Sequence, residues 1–317
     1  MGKSIRLVVS CTDRKRMPVS RELQLRNHPN DLDERAERWV GSIASSDEAT
    51  LPAAEMYKGE HWSVVEEATR STVARGLEVE LWIASAGYGL IRGTDHIASY
   101  GATFATGSPD SITRKQSSSD PSSDAAEWWS HLMVRKRKGG TPSSISELAA
   151  ADTSSPILLA LSNSYVRAVE SDLLQAADLL DSPGQLLLVS AGSSKASLNH
   201  VRVPTDARFQ HALGGSRLSL NIRVAKHVIE NSPQHNWNGV EVRQLLARDL
   251  AQQPDVVQYH RKALSDDAVR KFIAKELSRD SGVSQSQLLR RLRDRNLACE
   301  QKRFGHLYLS VREEVAR

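Results

Sequence analysis

Four stretches of the chain repeat one pattern: a short, largely apolar run rich in β-branched residues, a serine, then small or polar residues. They are Ile5–Ser10 running into Cys11-Thr12-Asp13, Val79–Ser85 into Ala86-Gly87-Tyr88-Gly89, Ile157–Ser162 into Asn163-Ser164-Tyr165, and Leu186–Ser190 into Ala191-Gly192-Ser193-Ser194. Apolar runs stopped by such breakers predict strands buried on both faces. Helical spacing lies between them, over Tyr57–Gly76, which ends on a glycine, and over Ser164–Leu180, ahead of a Ser182-Pro183-Gly184 turn. Strands alternating with helices predict an α/β fold with a mostly parallel four-stranded sheet and flanking helices.

The pattern is interrupted over about 101–155, which is rich in Ser, Gly, Pro and Asp and carries the basic run Arg135-Lys136-Arg137-Lys138. So long an insertion is either functional or mobile; the Trp128-Trp129 pair predicts a packed helix within it. A helix through about Glu230 ends at Asn231-Ser232-Pro233, and Trp237–Gln253 predicts a connecting helix. The tail reads as a helix at Ser265–Arg279, a Ser281-Gly282 turn, a basic helix at Ser284–Asn296, and a β-hairpin at Ala298–Val311 turning near Phe304-Gly305. That order is winged-helix-like. The expected domains are an α/β domain over 1–235, a connector over 236–264 and the basic tail over 265–317.

Charge sharpens the role of the tail. From Arg261 to Arg317 there are 14 Lys or Arg against 8 Asp or Glu, a balance of +6, whereas the whole chain carries only +4. The remainder is therefore slightly acidic, and a polyanion contact is expected in the tail. On the basic helix Leu288, Leu289 and Leu292 form an apolar stripe, while Arg291 and Arg295, four residues apart, share another face. A small dimerisation or docking domain with a solvated arginine face remains the alternative. Composition is that of a globular protein, 39% hydrophobic and 25% charged, and no apolar run approaches the ~20 residues of a membrane span. No signal peptide is evident at the first residues. Two cysteines far apart, Cys11 and Cys299, exclude a disulfide framework and a cysteine-rich zinc site; a reducing cytoplasm is expected.

In an open parallel sheet, ligands bind beyond the carboxyl ends of the strands. The four serine-bearing tips should therefore meet in one crevice, where backbone N–H groups suit anionic or polar groups. Singly, each serine also suits a helix N-cap. Asp13 is the one carboxylate among the tips, a candidate catalytic group that would equally serve a turn or pair with Arg14 or Lys15. Asp110, at the mouth of the insertion, is the reserve. Ser10, Cys11, Ser85, Tyr88 and Asn163 are candidate pocket residues; Asn163 donates and accepts at once, which suits the edge of a base, and flanking glycines would project Tyr88 into the cleft. Pro52–Gly59 adds Glu55, Tyr57 and Lys58 ahead of a helix. No phosphate-binding loop, dinucleotide fingerprint, serine-hydrolase elbow or clustered metal ligands occur, so no metal or cofactor is expected.

The order of these motifs resembles the uracil-DNA glycosylase superfamily over about residues 4–230. The likeness lies in the polar loop Ser10-Cys11-Thr12-Asp13, the strand-to-helix run Leu159–Val166, the serine-rich Leu187–Lys195, and Gly214–Asn221 ahead of a late helix. Val9-Ser10-Cys11, Pro52–Gly59, Ala84–Leu90 and Ala102-Thr103-Phe104 look closer to a branch akin to domains accompanying archaeosine transglycosylases, and to anti-phage glycosylases of the Brig type, which remove glucosylated hydroxymethylcytosine. The family's Gly-Gln-Asp-Pro-Tyr-His and His-Pro-Ser-Pro loops are absent. The resemblance implies a DNA glycosylase acting on a modified base of double-stranded phage DNA, with Asp13 in the catalytic place and Ser193, Ser194 and Lys195 on the DNA; Arg291 and Arg295 on the basic tail helix are the expected phosphate contacts there. A non-catalytic reader of modified nucleic acid, or an RNA-side deazaguanine-exchange enzyme or accessory, remains open.

Overall fold

The computed structural model describes residues 4–113, 121–136, 141–191, 196–232, 239–255 and 260–315. The chain forms two compact units, Met1–Pro254 and Asp255–Arg317. In chain order the first unit contains β1 (Ser4–Ser10), α1 (Leu32–Ala44), β2 (Thr50–Pro52), α2 (Ala53–Met56), α3 (Glu60–Ala74), β3 (Glu78–Ser85), β4 (Gly89–Arg92) and β5 (His96–Ala98). It continues through α4 (Pro121–Lys136), α5 (Ile145–Ala151), β6 (Ile157–Ala160), α6 (Asn163–Ala168), α7 (Glu170–Leu179), β7 (Leu186–Val189), α8 (Phe209–Leu213), α9 (Leu220–Asn231) and α10 (Gly239–Ala251).

The four apolar runs are strands β1, β3, β6 and β7, mutually parallel and packed in the order β3-β1-β6-β7. In β1 every residue from Ile5 to Ser10 is buried, because helices cover both faces, and this explains the apolar run Leu7–Val9; Arg6 is buried beside it with its guanidinium donating to the carbonyls of Leu148 and Ser155. Leu7 stands opposite Leu81 on one side and Leu158 on the other. A fifth strand, β4, adds an antiparallel edge by folding back on β3 through a short turn at residues 86–88, so the sheet is five-stranded and only mostly parallel. At the opposite edge the chain returns beside β7: Leu188 N–H donates to Val201 O (2.9 Å) and Val203 N–H to Leu188 O (3.0 Å).

The predicted helix at 164–180 is broken at Val169 into α6 and α7. Within the insertion, two tryptophans pack into the core. On α4, Trp128 and Trp129 are buried, with indole N–H bonds to Ala86 O (2.8 Å) and Asp172 Oδ2 (3.4 Å). Asp172 also accepts from the backbone N–H groups of Ile145 (2.7 Å) and Ser146 (2.8 Å), seating the start of α5. Helix α1 has no counterpart among the elements predicted from periodicity. Its buried face, Leu32, Arg35, Ala36 and Trp39, has helical spacing, but Arg35 and the surrounding charges dilute it. The expected connector, α10, is a core element: Val242 and Leu246 are buried in the main hydrophobic cluster. Among the described residues no helix is long and apolar enough to cross a membrane.

The second unit contains β8 (Lys262–Ala263), α11 (Asp266–Leu277), α12 (Gln285–Asp294), β9 (Leu297–Ala298) and α13 (Gln301–Val315), with β8 and β9 parallel. Helices α11 and α12 lie where sequence places them; α12 starts on a capping box between Ser284 and Gln287. The hairpin expected at 298–311, and with it the wing, is replaced by α13. Phe304, Tyr308 and Val311, spaced by four and three, bury one helical stripe against Leu288, Leu289 and Leu292. Gly305 is a point of close approach rather than a turn: a Cβ there would lie 2.7 Å from Gln285 Nε2.

Candidate functional site

Among the parallel strands, the connections leave β1 and β6 toward opposite edges, so the topological switch point lies between the ends of β1 and β6. Cys11, just past β1, stands there. Its Sγ lies 2.9 Å from Tyr165 Oη on α6 and receives a hydrogen bond from Tyr100 Oη at 3.2 Å. Tyr100 Oη lies 3.0 Å from Tyr57 Oη and 2.8 Å from Ser85 Oγ at the end of β3. With Tyr100 donating to sulfur, its oxygen accepts from Tyr57 and Ser85, and the chain of donors runs toward Cys11. Burial pushes the Tyr57, Tyr100 and Tyr165 phenols well above the ordinary tyrosine range, so all three remain neutral donors near pH 7.

Lys15 lies beside this cluster. Backbone pairing of 14–16 with 56–58 fixes its position: Arg16 N–H donates to Met56 O (2.8 Å) and Lys58 N–H to Arg14 O (3.1 Å). Its Nζ donates to the carbonyls of Thr12 (3.1 Å) and Asp13 (3.5 Å) and sits 4.1 Å from the Tyr100 ring centre. Asp13 itself is exposed, and its carboxylate has no hydrogen-bond or ion-pair partner among the described residues.

Asp110 is engaged differently. Its Oδ1 accepts from the backbone N–H (3.0 Å) and Nε (2.9 Å) of Arg26, and its Oδ2 pairs with Arg26 Nη2. Burial would raise this carboxyl, but the bonds and charge of Arg26 outweigh it and hold the group below the usual carboxylate range. Asp110 thus anchors the loop at 24–27. Ser85, Ala86 and Gly87 are packed rather than open to the crevice. Ser85 is fully buried, its Oγ also accepting from Gly87 N–H (3.2 Å) and Tyr88 N–H (3.0 Å), and a Cβ on Gly87 would lie 2.5 Å from Tyr100. Tyr88 rests edge-on against Tyr100, and its hydroxyl both donates to Ala98 O (3.3 Å) and accepts from Ala98 N–H (3.2 Å). Burial lifts that phenol to about 12.

Beyond β6 and β7 lies a second group. Ser190 Oγ donates to Asn163 Oδ1 (3.1 Å), and Asn221 bridges the two strand ends, donating to Leu161 O (2.7 Å) and accepting from Ala191 N–H (2.9 Å). Ser10 is buried, and its carbonyl accepts from His61 Nε2 (3.1 Å). Burial pushes His61 down, despite hydrogen bonds to the carbonyls of Ser10 and Leu218. Leu218 belongs to a loop held by Glu60, whose Oε1 accepts from Ser216 N–H (2.8 Å), Ser219 Oγ (2.8 Å) and Arg223 Nη2 (3.0 Å). These bonds lower the Glu60 carboxyl to about 2. The Leu218 side chain is 90% exposed, the most exposed large apolar residue among those described. Ser193, Ser194 and Lys195 lie outside the described residues.

The tail arginines are not free. Arg291 Nη1 and Arg295 Nη2 bind the two oxygens of Glu276 at 3.1 and 2.9 Å, with Arg279 Nη1 at 3.6 Å. The Glu276 side chain is only 4% exposed, whereas Arg291 and Arg295 keep 44% and 50% of theirs open. Asp33, Glu127 and His131 place ligand atoms within 4.8 Å of one another, a grouping across α1 and α4 that linear spacing does not show. His131 Nε2 sits 2.8 Å from Asp33 Oδ1, and both acids are exposed, so a surface ion pair accounts for it.

Sequence spacing thus located Cys11 and Ser85 but missed Tyr57, Tyr100 and Tyr165 as their partners; Lys15 figures there only as a possible partner of Asp13, and Asn221 only as part of Gly214–Asn221. Tyr57 and Tyr165 stand in motifs already singled out; for Tyr100 the local signal is Ser99-Tyr100-Gly101, a polar aromatic between small residues just after an apolar pair. Comparison with known protein families, with curated proteins and with solved structures finds no match to this chain.

Proposed function

We propose that this protein is a DNA N-glycosylase that removes a modified base from double-stranded DNA and leaves an abasic site. The observation that carries the reading is a hydrogen-bonded set of phenols and a thiol at the sheet's switch point, beside the exposed carboxylate of Asp13, which has no hydrogen-bond or ion-pair partner among the described residues. Such an enzyme takes its target nucleotide out of the stack. Bond cleavage then builds positive charge on the sugar and negative charge on the departing base. Asp13 is assigned to the sugar, by charge or by orienting water; half-buried Cys11 and Asn163 are assigned to the base. Leu218, exposed on its anchored loop, has the chemistry of a wedge that fills the vacated stack. Arg291 and Arg295 are assigned to phosphate contact through the open parts of their guanidinium groups.

Sugar-decorated hydroxymethylcytosine in phage DNA is the proposed substrate, and defence the proposed role, because the polar donors suit a hydroxyl-bearing base. The test is mass spectrometry of small molecules released by the purified chain from glucosylated phage DNA, unmodified DNA and uracil-containing DNA. Release from the first alone is expected. Comparable release from uracil-containing DNA refutes the substrate, and inertness on every DNA refutes the enzyme. The saturated bonding of Ser85 and Tyr88 favours one rival, a non-catalytic reader of the same modified DNA, which binds without releasing anything.

A further inference from the structure

Lys15 has features that neither base removal nor packing requires. Its side chain runs inward from a clamped backbone, the residue is 8% exposed, and no carboxylate lies within ion-pair distance among the described residues. Two backbone carbonyls and the face of Tyr100 hold the nitrogen in one place. Directly above, Cys11 and Thr12 are half-buried and Asp13 is exposed, so the amine lies one layer beneath a loop open to solvent at the switch point. Burial pushes the ammonium below the ordinary lysine value, and Cys11, Asp13 and Asp110 offset this only in part. A desolvated lysine with a depressed proton affinity is the type of amine that adds to carbonyl groups.

We propose that Lys15 is a nucleophile toward the aldehyde of an abasic site, so that base removal and strand cleavage take place in one crevice. The identity of the aldehyde rests on the glycosylase reading. The Lys15 nitrogen bonds to the C1′ carbonyl carbon. The carbonyl oxygen takes one proton from nitrogen and one from solvent and leaves as water, and a protonated imine remains. The C2′ proton then passes to a base, a role open to Asp13, while its electron pair forms a C1′–C2′ double bond and the imine pair returns to nitrogen. When nitrogen re-forms the imine, that double bond shifts to C2′–C3′ and the C3′–O pair departs with the 3′ phosphate. Water hydrolyses the imine, freeing the amine and an unsaturated aldehyde. No oxidant or reductant takes part.

The test uses the full chain and a duplex carrying one preformed abasic site, with borohydride to reduce any imine to a stable amine. Denaturing electrophoresis reads the protein–DNA adduct, and peptide mass spectrometry locates it. An adduct on Lys15, absent when the abasic aldehyde is reduced beforehand, is the expected result. Lys15→Arg keeps the charge but has no nucleophilic amine, so the adduct should vanish while thermal melting still reports a folded protein. If that variant melts far below the parent chain, Lys15→Gln supplies the same comparison. No adduct with the parent chain, or an undiminished adduct with Lys15→Arg, overturns the assignment. Base release is measured separately. Release without an adduct overturns the Lys15 assignment and leaves the glycosylase reading intact. An adduct on Lys15 without release from any DNA supports the amine and overturns the glycosylase reading.

Discussion

Removing one oxygen at the centre of the phenol cluster tests whether its hydrogen bonds hold the crevice together. In Tyr100→Phe the ring that packs against Trp39 and Tyr88 is retained. Tyr57 Oη, fully buried, loses its 3.0 Å hydrogen bond to Tyr100 and is left with Ser85. Ser85 keeps two backbone donors and Cys11 keeps Tyr165, so these lose one bond each. A buried hydroxyl left short of a partner costs about 1–3 kcal/mol and each lost bond about 0.5–1, which together predict a loss of about 3 kcal/mol. For a unit of this size the melting temperature should fall by roughly 6–12 °C. Denaturant unfolding followed by tryptophan fluorescence gives the free energy directly. The double variant Tyr57→Phe/Tyr100→Phe removes that hydroxyl as well and should be more stable than Tyr100→Phe alone, by about 1 kcal/mol. The reasoning fails if Tyr100→Phe lies within about 0.5 kcal/mol of the parent chain, or if the two single losses simply add.

Three further outcomes are expected. Arg291→Ala with Arg295→Ala should weaken duplex binding for all sequences alike and flatten the dependence of log affinity on log salt. The same pair leaves Glu276 short of two partners, so the second unit should lose about 2–3 kcal/mol in a denaturant titration; an unchanged salt slope would make these arginines purely structural. Asp13→Asn should reduce base release by a factor on the order of 100 with melting unaltered, whereas Asp110→Asn should lower the melting temperature by weakening the Arg26 fork. Full activity in Asp13→Asn sinks the catalytic assignment. Glu60 titrates near 2 when folded, below its ordinary value of 4.5. Its stabilisation is therefore complete above the unfolded value and lost as pH falls through about 2. The melting difference between parent and Glu60→Gln should shrink over that acid window, and a gap that stays constant would contradict the loop anchoring.

What could be read from the chain follows from how far each cause extends along it. The four parallel strands were legible because a buried sheet writes largely apolar runs into consecutive residues, Leu7–Val9 and Ile157–Ala160 among them. Strand β4 was not, since Gly89–Arg92 is too short to show a period and depends on folding back over β3. Helix α13 was misread at Gly305, where a lone glycine beside Phe304 mimicked a turn; the packing against Gln285 that demands it involves a residue twenty positions earlier. At the site, Cys11 and Ser85 sit on strand ends and so followed from the fold class. Tyr57, Tyr100 and Tyr165 reach them from three other segments, a convergence that no local window contains.

The return of the chain beside β7 also bears on how this protein avoids its own kind. An outer strand exposes a row of unpaired amides and carbonyls, a template on which another chain can add and aggregation can begin. Here both outward groups of Leu188 are taken up by Val201 and Val203, and the next outward carbonyl, Ser190 O, accepts from Arg202 Nη2 at 2.6 Å. The template is occupied from within for the length of those residues. A further β-strand from a neighbouring molecule would have to displace this segment before it could pair there, which leaves that edge silent in a crowded or partly destabilised population.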